Sequence, residues 1–84
     1  MTDLLYSPSV IKMAENTMPN ASAKQRKRML ELIPIIREAD EKEYQAMRAS
    51  ELSDDWTAYD AAHEAAQALT HELREIARYI PITA

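Results

Sequence analysis

Eighty-four residues with a net charge of −4 and 46% hydrophobic side chains suffice for one folded unit, not for two with separate cores. The absence of cysteine excludes disulfides and thiolate metal sites, and the absence of glycine removes the residue on which phosphate-cradling loops depend, which excludes P-loop and dinucleotide folds. Apolar content at this level offsets the entropy of ordering, so the acidity is not that of a disordered tail.

Residues 1–7 read as an arm carrying Leu4, Leu5 and Tyr6. They have neither a basic lead nor a sustained apolar stretch, and the longest apolar run, Leu32 to Ile36, is interrupted by Pro34. Secretion and membrane insertion are therefore not expected, and the cytoplasm is the default location.

Ser7-Pro8 has the form of a helix start, with serine as cap and proline in the first turn. A short first helix is predicted over residues 8–17, stopped by Pro19. Ser22 followed three residues later by Gln25 has the spacing of a capping box and predicts a second helix over residues 22–50. Its apolar positions Met29, Leu32, Ile33, Ile36, Ala39 and Met47 fall mostly on one stripe. Pro34 removes an interior hydrogen bond at a cost of about 3 kcal/mol, which predicts a kink there, with a broken pair of helices as the alternative.

Ser53-Asp54-Asp55 predicts the cap of a third helix over residues 54–80, with two carboxylates at the positive end of its dipole and Pro81 as the stop. Tyr59, Ala62, Ala66, Leu69, Leu73, Ile76 and Ile80 alternate spacings of three and four, the pattern of a coiled-coil seam. Two helices of roughly 27 residues, each about 40 Å long, joined by a short connection must run antiparallel. The fold class is thus all-α. One domain over residues 1–84 is expected, in which a short N-terminal helix precedes a long antiparallel hairpin. A core this small is marginal alone, which predicts pairing into a helical-bundle homodimer or higher homo-oligomer.

The interface is expected on the third helix, at Tyr59, Ala61, Ala62, Ala65, Ala66, Ala68, Leu69, Leu73 and Ile76. Part of this set packs on the second helix, and the neighbouring alanines admit another backbone closely. The plainer reading of Ala58, Ala61, Ala65 and Ala68 is helix propensity alone. Charge divides along the chain. Residues 1–28 carry five basic and two acidic groups, and residues 29–64 carry three basic and ten acidic. Folding the hairpin gathers Glu38, Asp40, Glu41, Glu43, Glu51, Asp54, Asp55 and Asp60 toward the closed tip, which orients two copies tip to open end.

Lys24, Arg26, Lys27 and Arg28 crowd a helix start, where cations oppose the macrodipole. Pairing with Glu72 and Glu75 on the third helix explains them structurally. Binding of a nucleotide or nucleic-acid phosphate is the functional alternative. The acidic tip is a solvated helix face or, less expectedly, a nucleic-acid mimic that inhibits a nucleic-acid-binding enzyme. His63 and His71 lie eight residues apart, not the four of a helical zinc pair, so no metal or cofactor is expected. The serines sit at caps and loops with no base and orienting acid assigned to them, and no catalytic residues are expected. Trp56 and Tyr59 are expected to clamp the tip onto the second helix near Tyr44 and Met47. The reading that follows is a non-enzymatic protein-protein interaction module, such as a regulator, inhibitor or adaptor, with a protein partner and without a membrane.

Overall fold

The computed structural model describes residues 6–82. Leu4 and Leu5 of the expected arm lie outside the described residues. Three α-helices follow in order: α1 (Ser7–Thr17), α2 (Ala23–Ser53) and α3 (Thr57–Ala77), with a 3-10 turn (Met18–Asn20) between the first two. Among the described residues there is no strand, and no helix is long and apolar enough to cross a membrane.

The capping box forms as its spacing requires. Ser22 Oγ accepts from the Gln25 N–H at 3.1 Å and Gln25 Oε1 accepts from the Ser22 N–H at 2.9 Å, which satisfies two backbone donors at the start of α2. Pro34 lies inside α2, which continues through it. Cross-helix pairs run in opposite order along the two long helices, Arg28 with Glu72 and Glu43 with His63, so α2 and α3 are antiparallel.

Helix α1 lies along one half of this hairpin. Its first residue, Ser7, reaches Asp40 and Thr70 at mid-length, and past its end Asn20 Nδ2 donates to the Pro81 carbonyl at 2.8 Å at the open end. The core forms where all three helices meet: Val10, Ile11 and Ala14 of α1, Met29, Leu32, Ile33 and Ile36 of α2, and Leu73 and Ala77 of α3, with Ala21 and Ile80 closing it. Between Arg37 and Ala65 no apolar side chain is buried. That half of the molecule is a bare two-helix ribbon, giving dimensions of 46 × 27 × 17 Å. Ser50 is its one buried residue, and the Ser50 hydroxyl has no hydrogen-bond partner.

Several expectations require correction. Ser7 does not cap α1. It is a buried helical residue whose hydroxyl serves the other two helices, and α1 starts after Tyr6 with no side-chain cap. Helix α2 runs on to Ser53, so Ser53 does not cap α3. The turn instead falls at Asp54, with φ 61°, a left-handed conformation that aspartate tolerates because its short polar side chain bonds locally. Asp55 takes over the start of α3, its Oδ1 accepting from the Thr57 N–H at 3.1 Å. Helix α3 ends at Ala77 rather than Ile80, because the residue before Pro81 is driven from helical angles.

The buried line on α3 is Ala66, Thr70, Leu73 and Ala77. Relative to the sequence seam it is rotated, leaving Tyr59, Ala62, Leu69 and Ile76 half-buried. The cause is α1, which packs mainly on α3 and draws the centre of the inward face toward the groove between α1 and α2. Trp56 is not enclosed against α2 either. It remains 40% exposed with its ring edge-on to Tyr59 at 5.5 Å, because no third helix reaches the tip to cover it.

Burial at the open half and an orphaned hydroxyl at the tip predict opposite responses to alanine. Leu73→Ala, which empties a fully buried site, is expected to lower unfolding free energy by about 3 kcal/mol. Ser50→Ala, which removes an unpaired polar atom, is expected to raise it by about 1 kcal/mol. Urea denaturation of the two variants beside the unaltered protein measures both.

Candidate functional site

The structure spreads the features that sequence singled out along the hairpin and adds one between them. At mid-length α1, α2 and α3 converge on a polar junction. Ser7 Oγ donates to Asp40 Oδ1 at 3.0 Å, Thr70 Oγ1 donates to the Ala66 carbonyl at 2.8 Å, and the two hydroxyls lie 3.1 Å apart. Two hydroxyl protons serve three contacts, so the group ties three helices together by sharing donors. One turn further toward the tip, His63 Nδ1 is hydrogen-bonded to Glu43 Oε1 across the hairpin, and Tyr59 stacks on the His63 ring at 5.7 Å. A cleft of about 500 Å³ opens here, lined by Tyr6, Ser7, Pro8, Asp40, Glu43, His63 and Gln67.

This junction was missed from sequence, where Ser7 read as a cap and no acid was assigned to any serine. Asp40 does stand beside Ser7, yet Ser7 is buried and its hydroxyl is spent on Asp40 and Thr70, while His63 is bonded to Glu43. Through Ser7 these bonds tie α1 to α2 and α3, and through His63 they tie α3 to α2. Among the described residues no group of three or more His, Cys, Asp or Glu side chains is arranged to hold a metal ion.

The basic start of α2 separates into distinct roles. Arg28 reaches across to Glu72 with two bonds, 2.7 Å from Nε and 3.0 Å from Nη2, and stands 3.6 Å from Glu31. Arg26 Nη2 donates to the carbonyls of Met18 and Ala21, closing the end of the 3-10 turn. Lys24 and Lys27 are exposed. Glu75 is joined to Arg78 on its own helix rather than to the α2 cations. The hydrogen bond from Arg28, reinforced by its charge and opposed by partial burial, holds the Glu72 carboxyl below the ordinary carboxylate range. The same bond raises Arg28. At the tip, the backbone N–H of Thr57 lowers Asp55.

The α3 residues expected at an interface divide by burial. Ala66 and Leu73 are enclosed by the chain's own helices, Tyr59, Ala62, Leu69 and Ile76 are half-buried, and Ala61, Ala65 and Ala68 are exposed along with Ala58. The helical period puts Ala58, Ala61 and Ala65 next to Leu69 and Ile76, on the side that carries Glu72 and hence away from α1. Ile35 of α2, 44% exposed, lies on the same side. The acidic tip is partly engaged: Glu43 holds His63, Asp40 holds Ser7, Gln45 donates to Glu41, and Lys42 pairs with Glu38.

Comparison of the chain with protein-family models, with curated proteins and with solved structures returns no match.

The depressed Glu72 carboxyl has a defined pH signature. A carboxyl lowered on folding stabilises the native state above its unfolded pKa, and that contribution disappears as pH falls through the folded value. The stability difference between the unaltered protein and Glu72→Gln is therefore expected to be constant at neutral pH and to vanish under acid, below the ordinary range for carboxylates. Chemical denaturation at a series of pH values checks this, and a difference that persists unchanged into strong acid is the contrary result.

Proposed function

We propose that the protein is a small non-enzymatic interaction module, a regulator, inhibitor or adaptor that works as a helical-bundle homo-oligomer and offers its exposed helix faces to a protein partner. The observation carrying this reading is the bare half of the hairpin. Residues 37–65 are helical for most of their length but bury no apolar side chain, although Tyr44, Leu52, Trp56 and Tyr59 stand there. Two helices extending beyond the third expose apolar surface that association would cover. The alanine side of α3 supports the same reading. Small side chains at Ala58, Ala61, Ala65 and Ala68 let an incoming helix approach closely, with Leu69, Ile76 and Ile35 as larger neighbours.

The phosphate-binding alternative draws less support, because Arg28 is committed to Glu72, Arg26 to backbone carbonyls, and two donors at the start of α2 to the capping box. Acidic mimicry draws less as well, since Asp40 and Glu43 are turned to bonds within the fold.

Two measurements test the proposal. Sedimentation across a dilution series is expected to show a species heavier than the 9.6 kDa chain that dissociates on dilution. Affinity capture from cells that make the protein is expected to return one stoichiometric protein partner, lost when Ala61→Arg and Ala65→Arg are introduced together. Both sites are exposed, so these changes are expected to alter stability by less than about 0.5 kcal/mol each. A monomer at all concentrations that captures nothing contradicts the reading.

A further inference from the structure

On the outer flank of α2, away from the hairpin seam, residues spaced by three or four from Leu30 form a second line. Leu30, Pro34, Arg37, Glu41, Tyr44, Arg48 and Leu52 are all exposed, and at 100° per residue they lie within about 40° of Leu30. The line is apolar at its ends and charged near its middle. At the open end, Leu30 is 57% exposed and borders a cavity of about 450 Å³ lined by Glu15, Met18, Leu30, Ile33, Pro34 and Arg37. Pro34 has no N–H, so the Leu30 carbonyl beside this cavity lacks its helical donor. At the tip, Leu52 is 90% exposed, the most exposed large apolar side chain described, with Trp56 close by.

The two ends also differ in charge. Arg37 lines the groove opposite Glu15, Arg26 is bonded to the Met18 carbonyl beside it, and Lys27 lies one turn before Leu30 on α2. Glu51, Asp54 and Asp55 neighbour Leu52 in the chain and outnumber Arg48, one turn before it, which is held on Tyr44. An apolar hollow rimmed by cations and an apolar knob rimmed by carboxylates thus occur on one flank of one helix, 22 residues and about 33 Å apart.

We infer that the groove receives the tip of a second copy of this chain, with Leu52 of each copy seated between Leu30, Ile33, Pro34 and Met18 of the other. The inference rests on the self-association proposed above and names the surfaces that perform it. A two-fold axis crossing α2 near Glu41 exchanges the two ends, so both tip-in-groove contacts form together in one closed, isologous pair. That axis sets Lys27 of each copy opposite Asp55 of the other, and where the two Glu41 side chains meet at its centre Arg37 of each copy lies about one turn away. A parallel arrangement would instead set acidic tip beside acidic tip and groove beside groove. The charges choose the antiparallel pair, and the apolar seat holds it. The alanine side of α3 faces away from this contact and stays open to a different protein.

The test uses the full chain in sedimentation and in a dilution assay of dissociation. Leu52→Asp is expected to weaken self-association by on the order of tenfold or more, with the helical circular dichroism unchanged because the site is exposed. Glu51→Lys, at an exposed position outside the turn, is expected to weaken it similarly, as is Lys27→Glu. The two charge reversals in one chain are expected to return the dissociation constant to within about threefold of the original, because opposite charges face each other again. If the unaltered protein self-associates but none of these variants weakens it, or if the two reversals compound the loss, the tip-in-groove contact is wrong while self-association stands. If the unaltered protein is monomeric at every concentration, the self-association on which the inference rests fails first.

Discussion

Everything in this fold follows from a mismatch in length. Helix α1 has 11 residues, α3 has 21 and α2 has 31, and a helical core closes only where three helices surround it. The chain therefore has a packed open half, where Met29, Leu32, Ile36 and Leu73 are fully buried, and a tip half with no apolar side chain buried at all. Stability resides in the first and unspent apolar surface in the second. The polar junction of Ser7, Asp40 and Thr70 marks the boundary between them, where α1 begins and the Ser7 hydroxyl contacts both long helices.

The same mismatch explains the electrostatics. Close to the core, ionic groups act within the fold: Arg28 clamps Glu72 across the hairpin, and Arg26 binds the carbonyls that end the 3-10 turn. Toward the tip, Glu43 with His63 replaces the missing hydrophobic layer as the link between α2 and α3. Glu51, Asp54 and Asp55 lie beyond any such partner helix and give the tip its acidic field. A charge division visible along the chain thus becomes a division between a basic end with a core and an acidic end without one.

The helices and their order were legible in the sequence because their signals are local. The capping box at Ser22 and Gln25, Pro19 after α1 and the three-and-four spacing on α3 each act over a single turn. The pairing of Arg28 with Glu72 was legible too, since antiparallel packing leaves few partners for a cation at that station. What sequence misjudged depended on a neighbour distant in the chain. Ser7 is a legitimate cap by its type, and only the arrival of Asp40 and Thr70 turns it inward. Ser53 likewise resembles a cap until Asp54 adopts the left-handed turn one residue later. The α3 seam was found in period but misplaced in phase, because the side taken by α1 sets which of Leu69 or Thr70 is fully enclosed. The tip went wrong for a related reason. Trp56 was assigned a core on the strength of its size, and size buries nothing where no third helix is present. The outer line from Leu30 to Leu52 went unread because charged residues interrupt its apolar ends, so it carries no hydrophobic period of its own.

Buried apolar contacts place cooperative stability in the open half, and the proposed self-association predicts that the tip gains order only when copies meet. Amide hydrogen exchange resolved by residue, on dilute monomer and then on concentrated protein, tests this most directly. Protection of Leu32, Ile36 and Leu73 is expected to be high and indifferent to concentration, whereas that of residues 44–53 and 58–62 is expected to be low in the monomer and to rise as the protein is concentrated. Tip amides as protected in dilute monomer as those of the core would contradict the account.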